Sequence, residues 1–235
     1  MATAIWGPDR TKAVFTFLGR LRRLMLSPAK EFQRLAVEPE TIRDVFLGWI
    51  LPLATIWVVV RFVAALVVGI SSFDKDVLGY TLSLYDLPAF ALPVLIQSLF
   101  MPFVFGAVIA IAAGYFSGER DFVQGVRTAA YASTPGWLVG LVTPTWHMAD
   151  FTHITPPLSL PLVIGALWCI YFLFRALPTM QKTPSGRPTL LALAATVVAM
   201  FFAWGGALVT TYNLVSSLTL EVNARRDFDD EEPIP

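Results

Sequence analysis

The sequence is short of charge, cysteine, histidine and lysine. Asp, Glu, Lys and Arg make up 14% of its 235 residues, against about a quarter in a soluble domain. The deficit comes with 56% hydrophobic residues and a formal net charge of zero. That combination excludes a water-soluble enzyme domain, a disordered chain and a basic nucleic-acid-binding face. A single cysteine, Cys169, excludes an intrachain disulfide framework. It sits in an apolar run and reads as a small buried or lipid-facing residue rather than a reactive thiol. The only histidines, His147 and His153, share one loop, so no pair of histidines lies within apolar runs to ligate a transmembrane haem. None of Lys12, Lys30, Lys75 and Lys182 lies in an apolar run, which excludes a membrane Schiff base. No His-Glu-x-x-His helix, Gly-x-Ser-x-Gly elbow or Walker loop occurs.

What is present is long apolar sequence. A helix crossing a hydrocarbon core about 30 Å thick needs roughly 20 apolar residues. Five runs reach that scale: 46–70, 88–116, 125–146, 158–177 and 190–218. They are continuous rather than alternating, so they suit helices and not the strands of a barrel. The expected fold is an all-α membrane protein, a five-transmembrane-helix bundle preceded by cytoplasmic juxtamembrane amphipathic helices. Its parts are a juxtamembrane segment over 1–45, the helix bundle over 46–218 and an acidic tail over 219–235. The third run is the least hydrophobic and the easiest to mistake for a re-entrant segment. A cleavable signal peptide is not expected, because the first apolar run starts too late and is too long.

Positive charge sets the expected orientation. With the N-terminus in the cytoplasm, 13 of the 17 Lys and Arg fall inside and 3 outside, with Arg61 left in the membrane. The expected topology is therefore N-in and C-out, in a bacterial inner membrane. A short N-terminal region and 13 Arg against 4 Lys point to a bacterial source. Ahead of the first run, 11–26 has Phe and Leu at helical spacing interleaved with Arg20, Arg22 and Arg23. It can lie on the anionic leaflet or pack beneath the bundle. Ser27 and Pro28 then suit the N-cap and first position of a second short helix that stops before Pro39.

Few residues carry chemistry. Arg61 is the one charge read as intramembrane, at a cost of at least a few kcal/mol. It can snorkel to the outer interface, pair with Gln97, Asp86 or a carbonyl freed by Pro93 or Pro102, or line a substrate or lipid path. His147, Asp150 and His153 are spaced by three residues and are weak metal candidates, set against a polar interfacial loop. No cofactor is expected. Pro135 removes a helix hydrogen bond in the third run. Tyr131, Ser133 and Thr134 surround that break, where hydroxyls can re-satisfy a freed carbonyl, and where a cavity would lie if there is one. Small residues recur at four-residue spacing: Gly106, Ala110 and Gly114; Gly136 and Gly140; Ala195, Ala199, Ala203 and Ala207. Such rows allow close helix packing, within the bundle or against a partner. Trp49 and Trp146 suit interfacial anchors. Asp44 and Asp121 suit helix ends.

Several segments together resemble bacterial Yip1-domain proteins. They are Leu26-Ser27-Pro28-Ala29-Lys30-Glu31-Phe32, Gly48-Trp49-Ile50-Leu51-Pro52-Leu53, Ser117 to Phe122 followed by Ala129 to Trp137, and Tyr171 to Met180 with Pro184. The Tyr131-Ala132-Ser133-Thr134-Pro135 stretch is the most specific, and the resemblance covers about 18–218. Two departures stand out. Ser117 occupies one of a usual glycine pair, and Ala176 replaces the usual glycine before Leu177-Pro178. The resemblance implies five helices and a cytoplasmic N-terminus. Eukaryotic relatives contact Rab-type GTPases, a role with no bacterial counterpart, and the family supplies no catalytic residue. The expected function is a non-enzymatic scaffold, assembly factor or accessory subunit. Its partners would be membrane lipid and other membrane subunits or a second copy. The alternative is a small-solute transporter or lipid translocation protein.

Overall fold

The computed structural model describes residues 8–68, 87–142 and 156–202, and these are helical apart from short connections. α1 covers Pro8–Leu26 and α2 covers Pro28–Val37. α3 is a single turn over Ile42–Val45, followed by a π-turn at Phe46–Ile50 and by α4 at Leu51–Val68. α5 covers Leu87–Tyr115, α6 Phe122–Ala132 and α7 Thr134–Val142. α8 covers Pro156–Met180, and α9 covers Arg187–Phe202. Three segments are long and apolar enough to cross a membrane: Ile42–Val60, Leu95–Tyr115 and Val163–Met180. The first, second and fourth apolar runs thus contain spans among the described residues. The third is divided at Ser133 into α6 and α7, and the fifth is described only as far as Phe202.

Local chemistry explains the helix ends. Pro28 starts α2 as expected, but the Ser27 hydroxyl makes no capping bond. α3 opens on a reciprocal cap: Asp44 N–H donates to Thr41 Oγ1 at 3.2 Å, and Thr41 N–H donates to Asp44 Oδ2 at 2.9 Å. Asp121 caps α6, its Oδ1 accepting from Val123 N–H at 2.8 Å and Gln124 N–H at 3.2 Å. The π-turn precedes Pro52, which has no N–H to offer the Gly48 carbonyl. The ladder loosens there, with Leu51 N–H reaching back to Phe46 O.

One core joins all the layers. α1 and α2 pack beneath the bundle rather than apart from it. Leu24, Phe32 and Leu35 are fully buried, and Phe17, Leu21 and Met25 pack against the same cluster. Phe32 of α2 meets Phe172 of α8 edge to face at 5.9 Å. α5 and α6 touch backbone to backbone. A Cβ on Gly106 would stand 2.6 Å from Val126 Cα, and one on Gly125 would stand 2.2 Å from the Gly106 carbonyl oxygen. Trp49 corrects an expectation. It is buried at 2% exposure, not an interfacial anchor. The π-turn directs its ring between Phe17 and Tyr131, at centroid distances of 4.9 and 5.0 Å.

Candidate functional site

The densest polar assembly is a junction where α1, the α2–α3 turn and α6 meet. Arg20 comes from the face of α1 turned toward the bundle. Glu38 and Glu40 flank Pro39, which ends α2; the Glu38 carboxylate faces α1, and the Glu40 carboxylate faces both α1 and α6. Arg127 and Tyr131 lie four residues apart on α6 and so share one face.

Arg20 donates to Glu38 Oε1 at 2.9 Å, to Tyr131 Oη at 2.8 Å and to Glu40 Oε1. The Tyr131 hydroxyl donates onward to Glu40 Oε2 at 2.9 Å. Arg127, only 3% exposed, donates to the Leu35 and Glu38 carbonyls, the latter at 2.9 Å. It also reaches Glu40 Oε2 at 3.4 Å and Gln124 Oε1 at 3.0 Å. Two cations therefore face two carboxylates, and the junction is neutral as a unit. Burial opposes the charge of Arg20, but Tyr131, Glu40 and Glu38 more than offset that and hold its guanidinium protonated above the ordinary range. Carbonyl acceptors at the end of α2 take the place of water around Arg127, which makes its burial tolerable. Arg23 repeats the theme with Glu31, at 3.0 Å across the α1–α2 turn.

The helix break adjoins this junction. The Ser133 and Thr134 hydroxyls each donate to the Ala130 carbonyl at 3.3 Å. Trp49 Nε1 donates to Thr134 Oγ1, and Trp137 Nε1 to Ser133 Oγ, both at 3.2 Å. Gly136 N–H finds Cys169 Sγ of α8 at 3.2 Å, and a Cβ there would stand 3.2 Å from that sulfur. A Cβ on Gly140 would stand 2.5 Å from Trp57 Nε1. Both glycines thus face neighbours in the same chain. Tyr131, Ser133, Thr134 and Pro135 come together as one knot, with the first and third fully buried.

A second junction joins the α5–α6 and α8–α9 connections. Glu119 N–H donates to the Gln181 carbonyl at 2.7 Å, and Lys182 pairs with Glu119 at 2.7 Å. Gly118 is wedged there: a Cβ would stand 2.7 Å from Thr183 Oγ1 and 2.8 Å from Gln181 O. Ser117 carries a positive φ of 66°, which is why glycine suits that position.

Other expected positions are placed differently. Gln97 lies half-buried on α5 and is not free of partners. Arg61 lies on α4, but its side chain is outside what is described. His147, Asp150, His153, Ala203 and Ala207 lie outside the described residues. Ala199 lines an apolar groove between α5 and α9. Sequence reasoning missed Glu38, Glu40, Arg20 and Arg127 as a unit. The available signal was the Arg127–Tyr131 spacing on a helix with no other charge.

A family model for the Yip1 domain matches residues 22–207. No curated protein and no solved structure matches.

Proposed function

The chain belongs to the Yip1-domain family, and from that premise we propose that it is a non-enzymatic scaffold or accessory subunit of a membrane complex. The proposed setting is a bacterial inner membrane, with α1 and α2 on the cytoplasmic side. The observation that carries this reading is the neutral, partly buried junction of Arg20, Glu38, Glu40, Arg127 and Tyr131. Its charges are used in fixing two helices against the bundle. Those helices then present Arg22, Lys30 and Arg34 outward on a rigid base. A rigid, charged platform suits protein docking, because little conformational freedom is lost on association. The hydroxyls at the Ser133 break are occupied by Ala130 O and by tryptophan N–H groups. This favours a scaffold over a transport path at that point.

The test is extraction of the full-length protein in mild detergent, followed by mass measurement and identification of what co-purifies. The expected result is a stoichiometric membrane partner or a homo-oligomer. Substituting Lys30→Glu and Arg34→Glu should weaken recovery of a protein partner. A clean monomer with no partner would overturn the reading.

A further inference from the structure

α1 and α2 close one end of the bundle, but the rings that anchor them meet the spans inside the level of the flanking charges. Phe17 of α1 packs on Trp49 at 4.9 Å. Trp49 stands five residues beyond Asp44, the last charge before the first apolar run. Phe32 of α2 meets Phe172 at 5.9 Å, and Phe172 stands three residues before the exposed Arg175 of α8. Trp49 and Phe172 belong to the apolar segments Ile42–Val60 and Val163–Met180. At 1.5 Å per residue both ring contacts lie about 5–8 Å inside the last charge of their span. A helix lying flat in a membrane surface sits at that depth, about 5–10 Å into the boundary between headgroups and acyl chains.

The face of α1 turned away from the bundle has the pattern such a helix needs. Phe17, Leu21, Leu24 and Met25 pack into the core, and Arg20 turns to the polar junction. Leu18, Arg22 and Leu26 follow one another at four-residue spacing and so form a separate stripe. Leu18 is 50% exposed and Leu26 71%, with Arg22 exposed between them. Neither leucine lies in a candidate span, so bilayer contact is not theirs by default. Arg22 has no ion pair among the described residues, whereas its neighbour Arg23 is held by Glu31. A helix facing water carries polar residues on its outer face. Two leucines on either side of an arginine suit lipid instead. The leucines enter the acyl boundary, while the Arg22 stem runs beside them and its guanidinium reaches the phosphates.

We propose that the Leu18–Arg22–Leu26 stripe of α1 rests in an anionic phospholipid surface, with both leucines in the acyl boundary and Arg22 on the headgroup phosphates. Charge selects the anionic class. The glutamates of α2 and of its turn to α3 are already in ion pairs, so the charge left over on this stripe is positive. The inference goes beyond the scaffold reading: it assigns α1 to lipid and leaves Lys30 and Arg34 of α2 to a protein partner.

The experiment uses the full-length protein in a Cys169→Ala background, with a bimane fluorophore on the thiol of Leu26→Cys. The protein is reconstituted alone into vesicles of phosphatidylglycerol and phosphatidylcholine in equal parts, or of phosphatidylcholine only. One quencher is a phospholipid with a nitroxide near the top of an acyl chain, and the other is acrylamide in the water. Gln33→Cys, exposed on α2, is the comparison site. The expected result is lipid quenching at least threefold stronger at Leu26→Cys than at Gln33→Cys, with acrylamide giving the opposite order. Lipid quenching at Leu26→Cys should be at least twofold stronger with phosphatidylglycerol present, and Arg22→Gln should remove that difference. Leu18→Cys should behave as Leu26→Cys does, and it decides the question if the first variant reconstitutes poorly. Equal quenching at Leu26→Cys and Gln33→Cys, or no dependence on phosphatidylglycerol, would overturn the proposal. So would protection of Leu26→Cys from both quenchers, the result of a second copy seated on α1. The vesicles hold no other protein, so failure to find a scaffold partner leaves these readings unchanged.

Discussion

Tyr131 illustrates how a single atom can hold a junction. Its hydroxyl accepts from Arg20 and donates to Glu40, while its ring packs on Trp49. Tyr131→Phe keeps the ring contact but leaves buried charged groups short of a partner, at about 1–3 kcal/mol. Arg127→Ala should cost more, about 3–5 kcal/mol, because it strips a counter-charge from Glu40 and vacates two carbonyls. Thermal unfolding in mild detergent should rank wild type above Tyr131→Phe, and Tyr131→Phe above Arg127→Ala. The opposite change is expected at Ser117, whose φ of 66° is costly for any residue with a Cβ. Ser117→Gly should raise stability by about 1 kcal/mol in the same assay. The sequence marked Ser117 as a departure from the family pattern. Only the backbone angle gives the departure a physical price.

At the scale of elements, contact between α5 and α6 depends on two glycines that meet backbone to backbone. A Cβ on Gly125 would stand 2.2 Å from the Gly106 carbonyl, closer than any side chain can be accommodated without moving a helix. Gly125→Ala should therefore destabilise the fold by about 1–3 kcal/mol, as overpacked cores do. Gly48→Ala is the control, since no atom lies within 4 Å of its would-be Cβ. If both variants unfold at the same temperature, the close approach is not what holds these helices. The small-residue row of α5 was legible in the sequence, but its partner Gly125 was not. Gly125 stands four residues before Ala129, a pair the sequence reading did not single out, and it gains its meaning from the helix opposite. Similarly, Pro135 pointed to a break, and the helix does divide two residues earlier, at Ser133. That Cys169 supplies the acceptor for Gly136 depends on how α8 lies against α7.

For the whole molecule, the acids whose side chains are described are engaged internally, and the bases only partly. Glu31, Glu38, Glu40 and Glu119 are in ion pairs, and Asp44 and Asp121 cap helices. Arg22, Lys30, Arg34, Arg120, Arg175 and Arg187 remain exposed without an ion pair among the described residues. The surplus lies around α1–α2 and the connections packed near them, so it argues for placing that end in the cytoplasm. In a Cys169→Ala background, a thiol at Gln33→Cys should resist a membrane-impermeant reagent in intact cells and react after the membrane is opened. Labelling in intact cells would reverse the assignment.

Sequence alone determined that this chain is helical and membrane-embedded, because run length and charge scarcity act through the solvent and need no tertiary information. It also located the first, second and fourth runs, and the family motif around Tyr131 to Pro135. Tertiary structure decided which charges are buried. Arg20 and Arg127 look like two more members of a basic flank, yet they are drawn inward by carboxylates 18 to 87 positions away along the chain. It likewise decided that Trp49 is core rather than anchor, since a π-turn ahead of Pro52 resets the face on which it lies. Hydropathy is a property of each residue, whereas pairing and burial are properties of what folding brings alongside it.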